Sequence, residues 1–163
     1  MITGIIVDEH TSPVAVERIW KASIGDMRNL MPRILPQLVS SIVILEGDGG
    51  AGTIMQHNLK NAVKEFGFVK DRIEVIDHEN HIFKYSVIEG GLVGLKLKSF
   101  TAEITFSSTR ELGGCLAKVK IEYESLEDGS LLSEEDVTSI KEGNLAMMKA
   151  VEEYLLADPN AYV

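Results

Sequence analysis

The strongest structural signal in the sequence is the stretch Glu46-Gly47-Asp48-Gly49-Gly50-Ala51-Gly52-Thr53-Ile54. It joins two strand-like runs, Val39 to Leu45 and Thr53 to Leu59, through a loop that is dense in glycine. Strand-like runs joined by a short loop that contains glycine are typical of a β-hairpin. The stretch therefore predicts two antiparallel strands, with this loop at one end of a sheet.

Further strand-like segments lie on both sides of this hairpin. Their connectors carry Gly, Asn or Asp, which favour turn conformations. The segments are Ile2 to His10, Phe66 to Ile76, Ile82 to Ile88, Lys96 to Phe106 and Leu116 to Ser125. Together with the hairpin they predict an antiparallel sheet of about seven strands.

Two short helices are predicted between the first strand and the hairpin. The spacing of apolar residues indicates an amphipathic helix from Val14 to Ile24, which Ser12 caps and Gly25 ends. A second helix, from Asp26 to Leu35, stays short because Pro32 lies near its middle. Joined at Gly25, the two helices form a V.

A long helix is predicted near the C-terminal end of the chain. Ser133 is a capping residue followed by three carboxylates at the positive end of the helix dipole, and Pro159 stops the helix after about Ala157. A sheet of this size must bury one face, and the long helix is the element available to cover it. We therefore expect a single α+β domain over residues 1–163, in which a curved sheet grips the helix.

Composition narrows the classes of function. The 163 residues include 16 Lys and Arg against 25 Asp and Glu, and the net charge of −9 disfavours binding to nucleic acid or anionic lipid. Cys115 is the single cysteine, so neither an intrachain disulfide nor a cysteine-based zinc site can form, which favours a reducing compartment. Neither a signal peptide nor an apolar run long enough to span a membrane is found in the sequence. We expect a cytoplasmic protein.

Four separated motifs carry a likeness to a known family. They are Glu46 to Ile54; Val69-Lys70-Asp71-Arg72 with Ile76-Asp77-His78; Tyr85 to Gly91; and Ala150 to Ala157 with Ala161-Tyr162. In these motifs, and in their order along essentially the whole chain, the sequence resembles the plant pathogenesis-related proteins of class ten, the family of the birch major pollen allergen. The resemblance implies a helix-grip fold with a large apolar cavity between the sheet and the long helix.

The same resemblance implies a function. It predicts a monomeric binder or carrier of small hydrophobic or amphipathic plant metabolites, such as flavonoids or cytokinin-like hormones, with a role in defence or stress. The partner is then a small molecule rather than a nucleic acid or a membrane, and we expect no cofactor and no catalytic residue. A metal is not expected either, because His78 and His81 lie in a predicted turn without a further ligand at the required spacing.

One face of the predicted long helix carries Ile140, Gly143, Asn144, Met147 and Val151. A glycine and an amide in such a stripe leave volume that a close-packed core would fill with large aliphatic side chains. Taken alone, the pattern also suits an ordinary core in which Gly143 lets a strand approach and Asn144 is hydrogen-bonded. The family resemblance favours the cavity, and it places Ile140, Gly143, Asn144 and Met147 on the wall.

Candidate wall residues also lie on the predicted strands. The resemblance places His57 and Leu59 inward, where a neutral imidazole can hydrogen-bond a ligand hydroxyl or carbonyl. A His57 paired with a backbone group or placed at the rim explains the sequence equally well. Aromatic side chains on the other strands complete the predicted wall, although a packed core is their usual fate. They are Phe66, Phe68, Phe83, Tyr85 and Phe100.

The glycine loop also invites a phosphate-binding interpretation, because runs of backbone amides can hold an anion. Its flanks are two strands rather than a strand and a helix, and the Lys-Ser or Lys-Thr pair of phosphate loops does not follow. We therefore expect a rigid hairpin loop at the rim of the cavity. Its residues are Gly47, Asp48, Gly49, Gly50 and Gly52.

The alternative to a binder is an enzyme on the same fold. Ribonuclease activity is credited to the family, but Met55, Gln56 and Lys98 stand at positions where the resemblance would require other residues. A condensing branch of the fold uses a lysine, matched here by Lys118, and a tyrosine, replaced here by Ser99. Strand alternation sends Lys118 to water, where no desolvation makes it a base. An isomerase or condensing catalyst built on a cavity histidine or tyrosine is the enzymatic alternative.

Overall fold

The computed structural model describes residues 2–60, 67–110 and 113–163. Within them lie seven strands, three α-helices and one π-helical turn. The strands are β1 Thr3–Ser12, β2 Val39–Glu46, β3 Ile54–Leu59, β4 Phe68–Asp77, β5 Ile82–Gly90, β6 Leu97–Ser108 and β7 Cys115–Ser125; the helices are α1 Val16–Trp20, α2 Met27–Ile34 and α3 Glu134–Ala157, with the π-helical turn at Lys21–Gly25.

The strands form one antiparallel sheet in the order β1-β7-β6-β5-β4-β3-β2. Strands β2 to β7 pair in chain order, and β1 closes the series by pairing with β7 from Thr3 to Ser12. Register shifts interrupt several of these pairings, and such bulges increase the twist and bend of a sheet. The seven-stranded sheet with two short helices and a long C-terminal helix confirms the predicted fold class.

The first helix begins later than the sequence predicts. Ser12 does not cap it, because Ser12 is the last residue of β1 and pairs with Cys115 of β7. Its Oγ accepts a hydrogen bond from the Val14 amide at 3.2 Å, and Ala15 occupies the N-cap position without a side-chain bond. Continuation of the β1–β7 ladder thus outweighs the capping preference of serine. The helix then widens into the π-helical turn at Lys21–Gly25 instead of continuing regularly to Ile24.

The long helix α3 is held mainly at its C-terminal end. Its predicted N-cap is confirmed, since Ser133 Oγ accepts a hydrogen bond from the Asp136 amide at 3.1 Å. Its only buried residues are Val151 and Leu155, both in the last three turns, whereas Met147 is 41% exposed. The first half of α3 therefore stands away from the sheet and leaves a space beneath it.

Arg18 of α1 binds the end of α3. Its Nε donates to the Ala161 carbonyl at 3.0 Å, and one terminal nitrogen donates to the carbonyls of Leu155 and Asp158 at 2.9 and 2.8 Å. Carbonyls at a helix C-terminus have no partner within the helix and carry partial negative charge, so a guanidinium suits this position. We call these three hydrogen bonds the Arg18 clamp.

The core lies under the helices and the concave face of the sheet. Its larger cluster joins residues of α1 and α2 to β-strand residues and to the end of α3, including Ile19, Trp20, Leu30, Val151 and Leu155. A smaller cluster lies toward the other end of the sheet, around Leu97, Ile121 and Tyr123. In the described ranges no helix is long and apolar enough to cross a membrane.

Candidate ligand-binding site

A cavity of about 400 Å³ lies between the concave face of the sheet, the first half of α3 and the short helices. This volume falls within the range of small-molecule sites in proteins. Its wall is predominantly apolar, with side chains from all seven strands and from Met27, Met31, Met147 and Met148. Methionine side chains are flexible and polarizable, so this wall can adapt to guests of different shape.

Most of the residues predicted for the wall do line this cavity. They come from β3, β5, β6 and α3, and their side chains converge although they are far apart in sequence. They are His57, Leu59, Phe83, Tyr85, Phe100, Ile140, Asn144 and Met147. Of the predicted residues, Phe66 lies outside the described residues.

Phe68 was predicted on the wall but lies on the other face of its strand. Val69 and Asp71 of β4 line the cavity, and strand alternation therefore turns Phe68 and Lys70 to the convex side. There the Lys70 ammonium lies 5.5 Å from the centroid of the Phe68 ring. The aromatic character of Phe68 suggested an inward position, but the cation above its ring accounts for it outside.

Gly143 is also placed wrongly by the sequence. It is exposed and is not part of the cavity wall, although Ile140, Asn144, Met147 and Val151 of the same helix are. At about 100° per residue, Gly143 lies roughly 85° from the centre of the stripe that includes these residues and Met148. Gly143 therefore lies beside the stripe and not within it, and a Cβ built on it meets nothing within 4 Å.

Asp71 is the one acidic residue of the wall among the described residues, and sequence reasoning missed it. The residue is 6% exposed, and its Oδ2 lies 2.8 Å from His57 Nε2. Its Oδ1 is buried and has no hydrogen-bond partner among the described residues. The available signal was alternation: Val69, Asp71 and Ile73 occupy the same face of β4, so an inward Val69 and Ile73 require an inward Asp71.

Tyr85 presents a hydroxyl to the same part of the cavity. Burial raises the pKa of this hydroxyl above its usual value, and the nearby Asp71 carboxylate raises it further. The group therefore stays protonated and can donate a hydrogen bond. Within the described residues it makes no hydrogen bond, so this donor is available to a guest.

The glycine loop lies beside the cavity rather than on its wall. Together with α2 it borders a second recess of about 430 Å³, which includes Asp48, Gly49 and Gly50. The loop amides have internal partners: Gly49 donates to Thr53 Oγ1, Gly50 to Asp48 Oδ1 and Gly52 to the Ile73 carbonyl. These amides are not arranged to hold phosphate, and the loop is a hairpin connection fixed by its own hydrogen bonds.

Gly47 shows why the loop needs glycine at its start. Its φ of +97° is a conformation that residues with a side chain rarely adopt, and a Cβ there would lie 2.8 Å from the Thr53 Cα. Thr53 itself is fully buried. The close approach of these two residues sets the shape of the hairpin end.

Comparison with known proteins shows the family of this chain. The model of the Pathogenesis-related protein Bet v 1 family matches residues 1–158. The chain belongs to the Bet v 1 family. Pathogenesis-related protein 2 of Petroselinum crispum is 41% identical over 154 residues, which cover 94% of this chain and 95% of that protein. Major pollen allergen Bet v 1-M/N of Betula pendula is 38% identical over 154 residues, 94% of either chain.

A solved structure of the same fold agrees. The crystal structure of Ara h 8.0201 superposes with a TM-score of 0.84 at 26% identity, covering 96% of this chain and 99% of that one. The family resemblance and the helix-grip fold that it implied are therefore confirmed.

The lysine weighed for a condensing enzyme does not reach the cavity of this Bet v 1 family member. Lys118 of β7 is exposed on the convex face, while its neighbours Ala117 and Val119 line the cavity. Ser99 donates a hydrogen bond to Glu124 at 3.0 Å and so is occupied by a residue of the next strand. Neither residue is available to a guest inside the cavity.

Proposed function

We propose that this protein binds and carries small hydrophobic or amphipathic plant metabolites, such as flavonoids or cytokinin-like hormones, in the cavity described above. The role is one in defence or stress, exercised by a cytoplasmic monomer. Membership of a pathogenesis-related family supports the setting, and relatives at 36–41% identity carry pathogenesis-related or allergen names. The single buried cysteine suits a reducing compartment.

The observation that carries this proposal is the apolar cavity with polar groups at one corner. A guest that buries ~300 Å² of apolar surface gains about 7 kcal/mol before the cost of association, at roughly 25 cal/mol per Å². That gain corresponds to affinities in the micromolar range at best for an apolar guest. The His57, Asp71 and Tyr85 side chains add the few fixed polar contacts that orient a ligand.

Titration with an apolar fluorescent probe tests the proposal. We expect saturable binding with micromolar affinity and competition by flavonoids or cytokinins. Native mass spectrometry of the purified protein then reports a retained guest directly. Absence of saturable binding up to millimolar protein would contradict the proposal.

Two matched variants locate the bound probe. Val87 lines the cavity and Val43 is 41% exposed on β2, so Val87→Trp and Val43→Trp add the same side chain inside and outside. We expect Val87→Trp to weaken probe binding at least tenfold and Val43→Trp to leave it within twofold. Equal affinities in the two variants would show that the probe binds elsewhere.

A further inference from the structure

Three polar residues form an oblique row across the concave face of the sheet. They lie on neighbouring strands: His57 on β3, Asp71 on β4 and Tyr85 on β5, and all three line the cavity. In the register, His57 faces Val69 and Tyr85 faces Ile73, so Asp71 is the diagonal neighbour of both. Diagonal neighbours in a sheet are within reach of long side chains, and here the row joins an imidazole, a carboxylate and a phenol.

The central carboxylate is costly to the fold. Asp71 is buried, its Oδ1 lacks a partner among the described residues, and its Oδ2 contacts the imidazole of His57. A buried acceptor without a partner lowers the stability of the fold, and more so when it is charged. A buried carboxylate in contact with a histidine on a cavity wall is a pairing that enzymes use to orient a base.

The contact distinguishes the two nitrogens of His57. Asp71 Oδ2 lies 2.8 Å from Nε2 without hydrogen-bond geometry, and Nδ1 is the ring nitrogen that does not face the carboxylate. A carboxylate beside one ring nitrogen favours the tautomer with the proton on that nitrogen, which leaves the other nitrogen to accept a proton. Asp71 is therefore a positioning residue for a base at His57.

Tyr85 supplies the complementary donor. Its hydroxyl stays protonated because burial and the Asp71 carboxylate both raise its pKa. An imidazole that accepts a proton and a neutral phenol that donates a hydrogen bond suit enolisation in an apolar site, since the donor stabilises the negative charge on the oxygen.

We propose that the His57–Asp71–Tyr85 row catalyses proton transfer at the carbon next to the carbonyl of an apolar ketone held in the cavity. The inference rests on the proposed function, because the ketone must first bind there. His57 Nδ1 takes the proton from the carbon as the C–H bond breaks. The electron pair of that bond forms a C=C bond, and the π pair of the carbonyl group moves to its oxygen. The enolate oxygen accepts the hydrogen bond of Tyr85, and return of the proton to carbon completes the cycle without any co-reactant.

Hydrogen–deuterium exchange in 2-tetralone tests this activity. This small bicyclic ketone is apolar. Proton NMR in deuterated buffer follows the loss of signal from the protons on the carbons next to the carbonyl. We expect the wild-type protein to accelerate exchange above the buffer rate with saturation kinetics. His57→Leu, Asp71→Asn and Tyr85→Phe should each lower the turnover rate at least tenfold, while Glu122→Gln, an exposed carboxylate on the convex face, leaves it unchanged.

A separate measurement of tetralone affinity distinguishes a catalytic from a structural effect. Displacement of the fluorescent probe should give affinities within threefold for wild type and the three variants, so that turnover falls while binding does not. Displacement without any difference in exchange between wild type and His57→Leu overturns the proton-transfer inference and leaves the carrier proposal standing. Failure of tetralone and of flavonoids to displace the probe overturns both.

Discussion

The Arg18 guanidinium donates a hydrogen bond to the Leu155 carbonyl at 2.9 Å, so that a side chain of α1 caps the last turn of α3. Two further carbonyls, of Asp158 and Ala161, accept from the same guanidinium. Leu155 is fully buried against the core at this point. The end of the long helix is thus fixed by polar contacts on one side and by apolar packing on the other.

Removal of the Arg18 clamp should destabilise the fold. Arg18→Ala leaves three carbonyls without their donor, and we expect a loss of about 2 kcal/mol in the free energy of unfolding. For a domain of this size that corresponds to a fall in Tm of roughly 4–8 °C. Thermal and urea unfolding measure it. Lys21→Ala, which removes only an exposed 3.4 Å contact to the Val163 carbonyl, is the control and should stay within about 0.5 kcal/mol of wild type. Equal stability of the two variants would show that the clamp is not stabilising.

Gly143→Ala should stabilise the protein. Gly143 is exposed in a helix, nothing lies within 4 Å of a Cβ built on it, and alanine is favoured over glycine in helices by about 1 kcal/mol. We expect a rise in Tm of a few degrees and unchanged probe affinity, because the position is outside the cavity wall. Gly4→Ala is the contrasting variant: its Cβ would overlap the Tyr123 ring, and a loss of ~1–3 kcal/mol is expected. Destabilisation by Gly143→Ala would instead indicate a packed helix face.

The start of α3 should lose stability in acid. The hydrogen bond from Lys96 is the largest cause that holds the pKa of Asp136 below its usual value, and the Ser133 cap contributes. A lowered carboxyl pKa stabilises the fold above the unfolded value of 3.8, and this contribution disappears as the pH falls through the folded pKa. We therefore expect Asp136→Asn to cost less than about 1 kcal/mol at pH 7 and less again at pH 2. Urea unfolding at both pH values measures the difference, and a gap of the same size at pH 2 would contradict this assignment.

Cys115 should be unreactive in the folded protein. The thiol is fully buried, and burial raises its pKa to about 11, so little thiolate exists at pH 8. A chromogenic disulfide reagent should therefore detect no thiol in the native protein and one thiol per chain in guanidinium chloride. Stoichiometric reaction of the native protein within minutes would show that β7 opens or that the thiol is accessible.

Local sequence patterns predict most of the fold. The Ser133 cap, Pro32 within a short α2 and the glycine hairpin are short-range signals, and each appears in the structure where the sequence places it. The start of α1 is different, because pairing of Ser12 with Cys115 is a contact between distant parts of the chain. No local pattern at Ser12 indicates how far β1 continues along β7.

The wall of the site is less predictable than the fold. Periodicity correctly groups Phe83 with Tyr85, but it cannot decide which of two half-apolar faces is concave, and so Phe68 was assigned to the wrong one. Asp71 lies in the motif from Val69 to Arg72, but no local pattern shows that its carboxylate meets His57 of the neighbouring strand. A buried charge depends on its partner, and the partner comes from another strand.

The helix α3 is buried in the core only near its C-terminal end, so residues that stabilise the fold and residues that line the cavity lie in different parts of the helix. Substitutions near Val151 and Leu155 act on whether the chain folds, whereas Ile140, Asn144 and Met147 face the cavity from turns that carry little of the packing. For the proposed binder, substitutions in the first half of α3 are therefore expected to change guest preference at small cost to stability.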